Sequence, residues 1–237
     1  MSILKADEIT AATTNSTLTL TGAGTGKLRL GDANLQWPDA DGSSSGDVLQ
    51  TNASGVLSFA TPAGGGAWTM IGTQVASNSA TLTQTGLDST YDTYAIGLSD
   101  IIPATDQQAC FLLVGDSSGI DTGSTDYSYH VGRMRAQYST YDATNSTGNS
   151  QIYLVDQVGN NTGEGLGAML FLVRPGDGTA VPMITGTVMI VDYLGMNRGG
   201  TLCATRTAVI TLDRIQIKFG SGNITSGRMT VWGISHA

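Results

Sequence analysis

The sequence predicts an all-β protein, with an N-terminal β-rich shaft or anchor segment followed by a C-terminal antiparallel β-sandwich (jelly-roll-like) domain. Three observations carry this. Glycine is abundant, 32 of 237 residues, and Ser, Thr, Asn and Asp accompany it in clusters that read as turns. Glu8 and Glu164 are the only glutamates and Lys5, Lys27 and Lys218 the only lysines, so two of the usual helix formers are nearly absent. Short runs alternate apolar and polar residues, the pattern of strands with one covered face.

Residues 1–62 form the N-terminal segment. Thr17-Leu18-Thr19-Leu20, Lys27-Leu28-Arg29-Leu30, Asn34-Leu35-Gln36-Trp37 and Val56-Leu57-Ser58-Phe59 alternate, with turn-forming clusters between them at 22–26, 39–46 and 52–55. Each strand offers about two large apolar side chains, too few to offset the entropy of ordering the segment alone. Pairing with copies of itself about a symmetry axis is the simplest remedy. Residues 63–67, Ala-Gly-Gly-Gly-Ala, form a glycine-rich linker. Residues 68–237 then read as a head domain of eleven strands, at 68–76, 79–85, 92–101, 109–115, 127–138, 151–157, 167–174, 183–193, 201–206, 209–219 and 228–235. Met169-Leu170-Phe171-Leu172-Val173 is continuously apolar and predicts a fully buried strand, and Val188-Met189-Ile190-Val191 is similar. In the last strand Met229, Val231 and Gly233 alternate with Thr230, Trp232 and Ile234. Apolar groups on both faces predict two covers, the domain core and a neighbouring subunit.

A formal net charge of −8 argues against nucleic-acid binding, which relies on Lys and Arg at the phosphates. It also weakens attraction to anionic lipid. No run of about 18 apolar residues predicts membrane insertion, and the N-terminus lacks a signal-peptide pattern. Cys110 and Cys203 lie far apart in apolar, strand-like contexts and are expected as buried free thiols, with a disulfide between them left open.

Two stretches resemble known proteins. The segment from Asp39 to Ala60 has an Asp-Gly turn, a Val48-Leu49-Gln50-Thr51-Asn52 strand, a turn at Gly55 and a Leu57-Ser58-Phe59 strand. It resembles a segment of tailed-bacteriophage tail-fibre and other virion proteins. The C-terminal half carries Ala80–Leu87, Tyr91-Asp92-Thr93-Tyr94, Ile102–Asp106 and the closing Gly222–Ile234, and is similar to a second module of such appendages, tail-fibre and head-fibre proteins alike. The resemblance implies a structural virion protein, assembled in the host cytoplasm. It implies a homotrimer that joins other virion proteins through its N-terminal segment and aids host attachment. A capsid decoration or cement protein is the alternative, and a polysaccharide-degrading spike a more remote one.

No enzyme is expected. His130 and His236 are the only histidines, and His130 lies in a strand-like run with no Gly-x-Ser-x-Gly elbow beside it. The two histidines and two cysteines have no metal-ligand spacing. Aspartates fall mainly in turn contexts such as Asp116-Ser117-Ser118-Gly119, so no carboxylate pair stands out. Neither a cofactor nor a metal is expected. Tyr127, Tyr129, Tyr138 and Tyr141, in or beside the polar stretch 121–150, are the candidate contacts to a host-surface glycan or protein. A core or interface role for the same tyrosines fits their alternation equally well.

Overall fold

The computed structural model describes residues 44–51, 56–60, 67–136, 138–175 and 178–235. They are all-β, in several antiparallel sheets, none of them closed. The chain divides into two units, Met1–Gly65 and Gly66–Ala237.

In the first unit, β1 (Val48–Thr51) and β2 (Leu57–Ala60) form an antiparallel hairpin in register, Val48 opposite Ala60 and Thr51 opposite Leu57. The two strands are the Val-Leu-Gln-Thr and Leu-Ser-Phe runs of the sequence. Val48, Leu49, Val56 and Phe59 are all exposed. The alternating runs at 17–20, 27–30 and 34–37 lie outside the described residues.

The second unit contains two sheets. The larger has eight strands in the order β3 (Trp68–Val75), β15 (Ile224–Ile234), β5 (Thr93–Pro103), β11 (Gly165–Val173), β12 (Met183–Val191), β13 (Asn197–Arg206), β8 (Tyr127–Arg135) and β9 (Tyr138–Asn149). The smaller runs β10 (Ile152–Val158), β6 (Gln108–Asp116), β14 (Arg214–Phe219), β4 (Leu82–Thr85), with β7 (Gly119–Ile120) folded back on β6. Alternation explains both. In the small sheet, Cys110, Leu112, Val114, Ile152, Leu154, Ile215, Ile217, Phe219 and Leu82 are buried. In the large one, Ile96, Leu98, Leu166, Leu170, Leu172, Ile184, Val188, Ile190, Leu202, Val131, Met229 and Val231 are buried. All belong to one continuous apolar cluster, so the two sheets share a core.

Three expectations are corrected here. The run 169–173 is not fully buried: Leu170 and Leu172 point into the core, but Met169 is exposed and Phe171 and Val173 only half-buried. The same holds at Met189, 61% exposed between buried Val188 and Ile190. Cys203 is exposed rather than buried, because Leu202 and Ala204 take the inward positions around it; both cysteines are free. Strand β9 (Tyr138–Asn149) fills the stretch between the expected strands 127–138 and 151–157, where the sequence predicts none, because its pairing along β8 holds it extended.

Gly186 marks a close backbone approach in the large sheet. It sits at an inward position of β12 opposite Leu170, with φ +155°, and a side chain there would overlap the Met169 carbonyl oxygen and Leu170. Gly186→Ala is therefore expected to lower stability by about 1–3 kcal/mol, read as a lower denaturation midpoint at unchanged slope.

Candidate interaction surface

Of the four tyrosines singled out in the sequence, two are internal. Tyr127 is fully buried. Its hydroxyl has the Val114 and Asp121 carbonyl oxygens within reach of its one hydrogen and accepts from the Val114 N–H, and burial pushes its pKa well up. Tyr129 is buried and stacks on Tyr153 at 6.3 Å. The alternation that made these residues conspicuous puts both on the core face with Val131 and Arg133. Tyr141 is 62% exposed, and its side chain lies across Gly132, where a Cβ would collide with the phenol. The side chain of Tyr138 and all of His236 lie outside what is described.

The core face beyond Val131 carries charge that the sequence analysis did not single out. Arg133 is 4% exposed and reaches Asp142 at 2.9 Å and Asp156 at 3.0 Å, with further bonds to the Tyr153 hydroxyl (2.7 Å) and the Thr144 hydroxyl (2.8 Å). Arg198, also buried, meets Asp156 at 2.9 Å and Gln157 at 2.7 Å, and Arg135 donates to Gln157. Farther along, buried Arg206 is held by Asp121 at 2.7 Å and Asp126 at 3.1 Å. These arginines stand at inward strand positions, visible from alternation. Their acidic partners come from other segments, Asp142 on the neighbouring strand β9 and Asp121 and Asp126 far away in sequence, with no local signal that pairs them. Arg133, Arg198 and Arg206 are each bound to a carboxylate of the same chain, so the clusters read as internal ties between strands.

The other face of the large sheet has a different character. Strand register assigns its residues. Across β11, β12, β13 and β8, Met169 faces Thr187 and Thr187 faces Thr201, while Phe171 aligns with Thr185, Thr185 with Cys203 and Cys203 with His130. Val173 pairs with Met183, and Met134 with Tyr141. Across β5, β15 and β3, Trp232 aligns with Ala95 and Met70, Ile234 with Trp68, and Arg228 with Ser99 and Val75. Trp68, Trp232 and Phe171 form an aromatic cluster, with Trp68 5.9 Å from Trp232 and 6.2 Å from Phe171. Glycines flatten the surface between them, and the Trp232 ring lies against Gly97 at 2.9 Å from where a Cβ would stand.

At one end the face hollows into a cleft of about 530 Å³. Val173, Met183, Thr185, Cys203 and His130 are among the residues that line it. Cys203 and His130 are cross-strand neighbours there. Among the described residues no cluster of three or more His, Cys, Asp or Glu is arranged to hold a metal ion, and no helix is long and apolar enough to cross a membrane. What this face offers chemically is contact area: apolar and hydroxyl groups, weakly hydrated, on a stiff hydrogen-bonded support. No protein-family model matches the chain, and neither the curated proteins nor the solved structures compared with it give a match.

Proposed function

We propose that the chain is a structural protein of a tailed-phage virion, a homotrimeric fibre-like appendage that aids host attachment. In this reading Gly66–Ala237 is a β-sandwich head and the N-terminal segment an anchor or shaft that joins it to other virion proteins. The observation that carries the reading is the β1–β2 hairpin. It falls on the segment that resembles phage fibre proteins, and Val48, Leu49, Val56 and Phe59 on it are exposed. A two-stranded hairpin is marginal alone in water, so a strand pair of this composition calls for partners to cover it. Adhesion would work by multivalency, weak contacts from several copies adding up to firm attachment.

The test is the solution mass of the full chain by light scattering after size exclusion. The expected result is three protomers. A monomer at micromolar concentration overturns the fibre reading and favours a capsid decoration protein whose hairpin contacts the coat.

A further inference from the structure

We infer that the outward face of the eight-stranded sheet is the surface through which copies of this chain bind one another. The inference rests on the self-assembly proposed above and names the surface that performs it.

Charge is the first argument. The chain holds 19 acidic residues and a net charge of −8. Among the paired outward positions of β3, β15, β5, β11, β12, β13, β8 and β9 that are described, none is Asp or Glu; the acidic groups nearest the face are Asp100, in the irregular stretch of β5, and Glu164, just before β11, which border its end near Met189. Arg228 on β15 and His130 on β8 are the only ionisable side chains of basic type there. A sheet face turned to water normally alternates charged and polar residues against the apolar side. Here Met70, Met134, Met169, Met183 and Met189 take the place of those charges, with Trp68, Trp232, Phe171 and a field of threonines. Five of the chain's eight methionines stand on this one face. Interface cores are depleted in charge and enriched in Met and aromatic residues in just this sense.

Area is the second. Eight strands about 4.8 Å apart, each about nine residues long at about 3.3 Å per residue, present about 1,000 Å². A stable interface needs about 800 Å² from each partner. The face is therefore large enough to hold neighbouring copies without help from the edges.

Charge also selects the occupant. Two copies of an acidic protein repel wherever their carboxylates meet, and this face lets them approach with carboxylates only at its border, Asp100 and Glu164. A basic partner would need carboxylates to recognise, and the middle of the face supplies none. The continuous apolar runs at 169–173 and 188–191 then have a common explanation: one set of side chains fills the core of the protomer and the other the contact between protomers.

The experiment uses the full chain. Met189→Glu with Thr201→Glu places two carboxylates on neighbouring central strands of the face. Ser117→Glu, in the exposed turn between β6 and β7, adds charge elsewhere as a control. Light scattering should show the double variant associating at least about a hundredfold more weakly than the parent, with an unchanged circular dichroism spectrum, while the control keeps the parent's mass. A second reading needs no substitution. Cys203 lies on the face and Cys110 is buried, so an aromatic disulfide reagent should find no reactive thiol in the assembled protein and one on dilution below the dissociation constant. An oligomer that keeps its mass with the two glutamates in place, or one whose Cys203 reacts freely while assembled, overturns this surface and leaves self-assembly to another. A parent chain that is monomeric overturns both proposals. Co-sedimentation of that monomer with zwitterionic phospholipid vesicles would reassign the face to lipid.

Discussion

Arg133→Ala is expected to destabilise the protein by about 3 kcal/mol, the low end of what removing one partner of a buried ion pair costs. The guanidinium is 4% exposed and ties three strands together, reaching Asp142 and Thr144 on β9, and Tyr153 and Asp156 on β10, from its own place on β8. Its ring contact with Tyr153, 5.2 Å to the centroid, adds a cation–π component. Asp142 is largely exposed and regains water when the arginine is lost, which keeps the penalty from the top of the range. Asp156 retains Arg198. The Tyr153 hydroxyl, in contrast, loses the guanidinium at 2.7 Å in a half-buried setting and is left with the Asp156 carboxylate beside it. Arg133→Lys should recover little, since an ammonium cannot span two carboxylates, a phenol and a threonine from one planar fork. Arg133→Met keeps the stem packed and should fall between the two. Urea denaturation of the three variants checks the order. Equal midpoints for the Ala and parent proteins would mean that the ion pairs contribute nothing.

How far the sequence revealed this molecule depends on the side of the sheet that one asks about. Strands such as β12 and β14 are legible because their buried residues alternate with polar or solvent-facing ones. Strand β9 is not. Tyr138–Asn149 is mostly Ser, Thr, Asn and Gly, a composition that reads as loop, and what makes it a strand is the hydrogen-bonded pairing along β8, from Arg135–Tyr138 to Tyr127–Asn149. Propensity cannot report a strand held by its neighbour. The short β7 escapes for the same reason.

The candidate surface was legible in part. The closing strand showed apolar groups on both faces, and that pointed to a second cover. The run 169–173 reads in the sequence as wholly buried, because periodicity distinguishes one covered face from two but not what does the covering. Only the structure separates Leu170 and Leu172, inside, from Met169, outside. The tyrosines show the converse. An aromatic in a polar stretch looks like a contact residue until register assigns its face, and register puts Tyr127 and Tyr129 in the core and Tyr141 on the surface.

Stability should collapse in alkali, and more steeply than the chain's surface charge alone would cause. Burial pushes the Cys110 thiol from its ordinary 9.0 up to about 12 and the Tyr94 phenol from 10.0 up to about 12, and it raises Tyr127, Tyr129 and Tyr153 as well. For each, the folded protein holds its proton to a higher pH than the unfolded chain does. Their stabilisation is thus complete below the unfolded values and is lost as pH rises from about 9 toward the folded values. Each group contributes up to about 1.4 kcal/mol per pH unit across its window. Guanidinium denaturation should show a nearly flat midpoint from about pH 7 to pH 8.5 and a fall that steepens once the tyrosines of the unfolded chain begin to ionise. Cys110→Ala separates the contributions. It removes the earliest titrating group, so the variant, whatever its starting stability, should begin its decline about one pH unit later than the parent. Identical onsets in the two proteins would mean that the Cys110 site accommodates a thiolate, and that the small sheet is open to water at its centre rather than closed over the core.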